Sequence, residues 1–180
     1  NEHIRTVAEQ YALDGFAVLA PDVFWQQQRR LDVGYSPQDI QAGRTLAMAA
    51  DRGALQRDLA DAVKDLRARP QVNGRGIGAI GYCMGGRLAY VAAATAGVDA
   101  AVAYYGGGIQ DMLDLAPQIR CPMQCHYCAL DTNIPLSAVD KVRAAMAGKP
   151  AEIFVYETAD HGFNCWARGS YQAASAALAH

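Results

Sequence analysis

The sequence predicts an α/β fold, a mostly parallel sheet with helices on both faces, and three observations carry that expectation. Short apolar runs alternate with longer amphipathic segments, the order that arises when crossover helices join parallel strands. Phe16–Ala20 and Ala100–Tyr105 are continuously apolar, as strands covered on both faces are. Between them, Gly81-Tyr82-Cys83-Met84-Gly85-Gly86 marks a sharp turn from a strand, Ile77–Ile80, into an alanine-rich helix that includes Arg87–Ala94.

Each element has its own signal. Ile4, Val7, Ala8, Tyr11 and Ala12 recur at helical spacing behind Asn1 as cap, and Gly15 stands where a helix stop is expected. Phe16–Ala20 then predicts a strand closed by Pro21-Asp22. Trp25 to Gly43 is polar and aperiodic and predicts a surface excursion that shapes a pocket over the C-terminal edge of the sheet. Leu55, Leu59, Ala62, Val63 and Leu66 form the apolar stripe of a helix from Gly53 to Arg69, ended by Pro70 and Asn73-Gly74. After the elbow, Ala100–Tyr105 is a strand halted by Gly106-Gly107-Gly108. Met123–Cys128 is a strand, Pro135–Ala147 a helix opened by its proline, Ala151–Tyr156 a strand and Ser170–Leu178 a final helix.

Composition narrows the function. The chain has 180 residues, 52% hydrophobic and 19% charged, which suits one globular domain, 1–180, with a sizeable core. A formal net charge of −2 without a basic stripe argues against nucleic acid as a partner. No apolar run is long enough for a membrane helix and the first residues lack a signal-peptide layout, so the expected location is the cytoplasm. Five cysteines, at 83, 121, 125, 128 and 165, lack a disulfide spacing and read as reduced thiols. Asn1 as cap of a helix already under way, and a helical run up to residue 180 without a stop signal, predict a chain truncated at both ends.

The chemistry centres on Gly-x-Cys-x-Gly, the thiol form of the nucleophile elbow. Gly81 and Gly85 are expected to be glycine because a Cβ at either would collide as the backbone doubles back. A helix N-terminus beside Cys83 favours thiolate, and the Met84 N–H is placed to hold an oxyanion. The plainer alternative is a small buried cysteine between packing glycines. A thiol nucleophile needs a base and an orienting acid. Asp131 follows the strand ending at Cys128 and His161 follows the next one, so both are expected at the sheet edge where open α/β proteins bind ligands. Taken singly, Asp131 also reads as a turn or capping residue and His161 as a surface histidine beside Asp160.

Two other motifs compete. Cys121, Cys125 and Cys128, with Tyr127 before the last, have a spacing similar to that of radical-SAM enzymes that bind an iron–sulfur cluster. Their place late in the chain argues against it, and in a strand Cys125 and Cys128 point to opposite faces, an objection that also meets a zinc site including Cys165. Gly76-Ile-Gly78-Ala-Ile-Gly81, with Asp99 downstream, matches a dinucleotide fingerprint, but its glycines fall within the strand and not in the turn after it. No metal or cofactor is therefore expected.

Taken together, these residues resemble the dienelactone hydrolases (carboxymethylenebutenolidases) of the α/β-hydrolase superfamily. The resemblance is carried by Gly15-Phe-Ala-Val-Leu-Ala-Pro-Asp22, Gly81-Tyr-Cys-Met-Gly-Gly86, Ala103-Tyr-Tyr-Gly106, Asp131 with Pro135, His161-Gly-Phe163 and Tyr171–Leu178. It implies Cys83 as nucleophile, His161 as base, Asp131 as its partner, and a small ester or lactone as substrate. It also implies N-terminal strands and a loop with a thiol-activating glutamate before residue 1, which this sequence lacks, and an arginine four residues after the histidine, where this chain has Cys165. Arg44 and Arg168 are the candidates for contacting an anionic substrate in its place. A non-catalytic binding domain with the same fold is the competing expectation.

Overall fold

In a computed structural model that describes residues 1–180, four strands lie side by side in chain order: β1 (Gly78–Tyr82), β2 (Ala100–Tyr104), β3 (Met123–Cys128) and β4 (Ala151–Tyr156). All three pairings are parallel, with Tyr82 opposite Tyr104, Tyr104 opposite His126 and His126 opposite Phe154. Parallel neighbours need crossovers, supplied here by α4 (Met84–Thr95), by two 3-10 turns at Ile109–Asp111 and Leu113–Gln118, and by α5 (Leu136–Ala145). Successive right-handed crossovers that always step the same way put their helices on one face of the sheet. That face carries Ala101, Ala103, Met123, Cys125 and Tyr127, all buried, and Tyr90 of α4 lies close enough to Cys125 and Tyr127 to couple electrostatically with both.

The opposite face carries an in-register aromatic row. Tyr82 stacks on Tyr104 at 4.9 Å between ring centroids, Tyr104 on His126 at 4.6 Å and His126 on Phe154 at 5.1 Å. The Tyr104 hydroxyl donates to the carbonyl of Ala179, just past α6 (Ala173–Leu178), so this face too is met by a helix end. Sheet, α4, α5 and α6 make up one compact unit, Gly76–His180.

Residues Asn1–Arg75 form a second compact unit. Its α1 (Glu2–Leu13) is capped by Asn1, whose side chain accepts from the Ile4 N–H at 3.1 Å, and Gly15 follows it at φ +95° as the stop signal predicts. In α3 (Arg52–Ala68), Asp51 caps the Ala54 N–H, and the Trp25 indole donates to Asp58 at 2.8 Å.

Two expectations fail in this unit. Phe16–Ala20 is not a strand; it has no ladder partner, and Phe16, Val18 and Leu19 are exposed. An apolar run becomes a strand only when another chain segment pairs its backbone groups. The aperiodic excursion ends early, because Pro37–Ala49 is a helix, α2. Its weak apolar stripe hides it, but Ser36 accepts from the Asp39 N–H, and Pro37 fills the first turn, where its missing N–H costs nothing. No helix of the chain is long and apolar enough to cross a membrane.

Candidate active site

Each of the four strands delivers one residue to the same edge. Just beyond β1, Cys83 takes φ +56° and ψ −115°, a conformation that non-glycine residues rarely adopt and that marks a strained elbow. The strain is held from both sides: the Cys83 N–H donates to the Tyr104 carbonyl at 3.0 Å, and its own carbonyl accepts from Arg87 in the first turn of α4. A Cβ on Gly81 would stand 1.9 Å from the Gly85 carbonyl oxygen, so Gly81 is obligatory. Gly85 itself corrects the sequence reading, since a Cβ there meets nothing within 4 Å. The second obligatory glycine is Gly86, whose Cβ would lie 2.5 Å from the Tyr104 carbonyl oxygen as α4 crosses β2.

Asp131 follows β3 in a turn that its own side chain builds, Oδ1 accepting from the N–H groups of Asn133 at 2.8 Å and Ile134 at 3.2 Å. Its other oxygen, Oδ2, lies 2.6 Å from His161 Nδ1. The carboxyl group is fully buried and the imidazole nearly so. The loops carrying the two residues are joined by backbone hydrogen bonds from Ala129 to the Tyr156 carbonyl and from Leu130 to the Ala159 carbonyl. Within the histidine loop, Ser170 donates to the His161 carbonyl at 2.8 Å and the His161 N–H donates to Asp160 Oδ1 at 2.6 Å.

His161 also lies close enough to Cys83 for each to shift the other's pKa, so thiol, imidazole and carboxylate are grouped at one edge of the sheet. Burial pulls the imidazole toward its neutral form, but the hydrogen bonds and charges of Asp131 and Cys83 outweigh it and push the pKa up to about 9. At Cys83 burial opposes ionisation. The His161 hydrogen bond and charge, the Met84 N–H and the Arg168 charge overcome it and hold the thiol below its ordinary value. Asp131 is likewise held below the usual carboxylate range: burial opposes, and His161 and Asn133 prevail. The arrangement shifts Cys83 toward thiolate and His161 toward imidazolium, with Met84, first residue of α4, presenting its N–H beside the sulfur.

Of the residues expected at a site, Cys83, Met84, Asp131, His161 and Arg168 meet here. Arg168 folds back over Gly162, where a Cβ would lie 2.7 Å from its Nη1. Arg44 stands exposed on α2, in the other unit. Cys165, in the position of the family arginine, is buried. Cys125 and Cys128 are both buried in β3 and alternate between its faces, and no group of three or more His, Cys, Asp or Glu side chains is gathered to hold a metal ion. Asp99, the dinucleotide-motif acid, accepts from the Ile77 N–H at 2.8 Å and closes the entry to β1. Sequence reasoning gave no role to Tyr105, which follows β2 and whose ring centroid lies 5.0 Å from that of His161; its signals were the Ala103-Tyr-Tyr-Gly106 stretch and the glycine run after it.

Comparison with known proteins identifies the family. The chain is 32% identical over 183 residues to the carboxymethylenebutenolidases of Pseudomonas putida and Pseudomonas knackmussii, covering 100% of this chain and 77% of each relative. The crystal structure of a Klebsiella pneumoniae protein assigned as a dienelactone hydrolase superimposes with a TM-score of 0.84 at 30% identity, over 99% of this chain and 78% of that one. A dienelactone hydrolase-like promiscuous phosphotriesterase from metagenomic libraries follows, at 25% identity and a TM-score of 0.81, over 99% and 77% of the two chains. The dienelactone hydrolase family model matches residues 1–180, and the chain belongs to that family.

Proposed function

We propose that this ester and lactone hydrolase works through Cys83 as a thiolate nucleophile, on a small ester or an enol-lactone. The observation that carries the reading is His161, set 2.6 Å from buried Asp131 on one side and within electrostatic reach of Cys83, at a strained elbow, on the other. Cys83 Sγ attacks the acyl carbonyl and the Met84 N–H stabilises the oxyanion. The tetrahedral intermediate collapses by breaking the bond to the leaving oxygen, which takes the His161 proton, and leaves an acyl-thioester on Cys83. The neutral imidazole then takes a proton from water, and the resulting hydroxide attacks the thioester. Thiolate leaves, the acid is released, and the thiolate–imidazolium pair is restored. Asp131 keeps the ring in the orientation and tautomer that this exchange needs. None of these steps calls on a metal or organic cofactor. Arg168 would favour substrates carrying a carboxylate.

Turnover of p-nitrophenyl acetate and of cis-dienelactone, measured for the chain and for Cys83→Ala and His161→Ala, tests the reading. Saturable hydrolysis lost in both variants supports it, and a lactone preference that falls in Arg168→Ala supports the carboxylate contact. Ligand binding without turnover in the folded chain would favour the non-catalytic domain instead.

A further inference from the structure

Three of the four residues that the strands deliver to the site have roles in the proposed chemistry; the fourth, Tyr105, has none. Its backbone is fixed in an unfavourable conformation, φ +38°, on a non-glycine residue directly after β2. Its N–H donates to the His126 carbonyl at 2.7 Å, extending the ladder one residue past the strand. The next residue, Gly106, packs so tightly on the first turn of α4 that a Cβ would lie 3.0 Å from the Arg87 nitrogen. A strained residue clamped on two sides aims its side chain reproducibly, and such strain persists only where the surroundings enforce it. The Tyr105 ring, 1% exposed, lies with its centroid 5.0 Å from that of His161, the planes inclined by 56°. Phe163 braces it edge-on at 5.6 Å.

We propose that Tyr105 is a positioning residue that holds the His161 ring toward Cys83 and stabilises its imidazolium through the π-face of the phenol. This rests on the reading that Cys83 and His161 are the reactive pair. An aromatic face attracts a cation within about 6 Å of its centroid, and more strongly where water is excluded. The charged and titratable groups around His161 are Cys83 from the elbow, Asp131 from the loop after β3, and Asp160 and Arg168 from its own loop. Asp131 and Cys83 stabilise the cation by charge. Tyr105 does so without adding a titrating carboxylate, so the ring can be tuned without altering the charges of the triad.

The test replaces Tyr105 by phenylalanine and by phenylalanines carrying one, two and three ring fluorines, which keep the shape while draining the π-face. The His161 ring is then titrated by NMR, its signals assigned by their absence in His161→Gln. The expected result is a midpoint that falls stepwise with fluorination, by about one pH unit across the series. The acid-side midpoint of Cys83 alkylation should rise in parallel. Tyr105→Leu should lower kcat by about 10-fold with KM nearly unchanged, as loss of orientation does. A flat fluorine series, or a Tyr105→Leu effect confined to KM, overturns the proposal. If the leucine variant fails to fold, the fluorinated series still decides. Because the titration is read without turnover, a flat series defeats this inference alone, while a graded series in a protein that hydrolyses no ester defeats the thiol-hydrolase reading alone.

Discussion

The elbow and the middle of β3 hold the same side chain in opposite states. At Cys83 the sulfur lies at the N-terminus of α4 beside the His161 imidazole; burial opposes ionisation, but His161, Met84 and Arg168 hold its pKa down. Burial alone pushes Cys125 up to about 12. Cys128 is raised by burial first and then by the charges of Asp131 and Asp160. Asp131 therefore acts on both regions: directly it disfavours thiolate at Cys128, and through His161 it favours thiolate at Cys83. Reactivity follows from what lies between the carboxylate and the sulfur, and the residue type alone does not set it.

The largest expected contrast comes from deleting each sulfur. Cys83→Ala should lower kcat/KM by about 10⁴-fold or more, the scale found when a nucleophile is removed. Cys125→Ala and Cys128→Ala should leave kcat/KM within about twofold, while costing roughly 1–2 kcal/mol of stability by denaturant melts for the cavities they leave. Asp131→Asn should cost about 10³–10⁴-fold in kcat, because an amide sets the wrong histidine tautomer. If the activity of Asp131→Asn matches wild type, the carboxylate only builds its turn.

The glycines sharpen the comparison through stability. Gly81→Ala should destabilise by about 3 kcal/mol or prevent folding, since backbone occupies the Cβ position. Gly85→Ala should be neutral or add about 0.5 kcal/mol, because the space is open and alanine favours helix. Equal losses at both positions, in urea melts, would contradict the elbow geometry.

The smallest effect is a pH dependence of stability. The folded pKa of His161 is raised from 6.5 to about 9, so its contribution is complete below pH 6.5 and is lost as pH rises toward 9. The lowered pKa of Asp131 acts at the other end, its contribution present above about pH 4 and lost as pH falls below it. Melting temperatures of wild type and His161→Gln should therefore converge as pH rises from 6.5 to 9. Parallel curves would argue against a charged His161.

The parallel sheet and the grouping of the candidate site were both legible in the sequence, while the first 75 residues were less so. An elbow needs glycines at fixed offsets, and an acid and a histidine one strand apart, each just past its strand, must fall on one edge of a parallel sheet; Cys83, Asp131 and His161 could therefore be named from residues alone. Tyr105 could not, because a tyrosine ending a strand looks the same whether it faces a core or a catalytic ring. Phe16–Ala20 was misread because an apolar run records the capacity to pair but not the presence of a partner. Helix α2 was hidden by weak periodicity, although Ser36-Pro37-Gln38-Asp39 carried the start signal.

The most direct measurement is to quench p-nitrophenyl acetate hydrolysis with acid in the steady state and map the acetyl group by peptide mass spectrometry. The account predicts acetyl on Cys83, accumulating further in His161→Ala and absent in Cys83→Ala. Turnover with no adduct on Cys83, or with the acetyl group on another side chain, would contradict it.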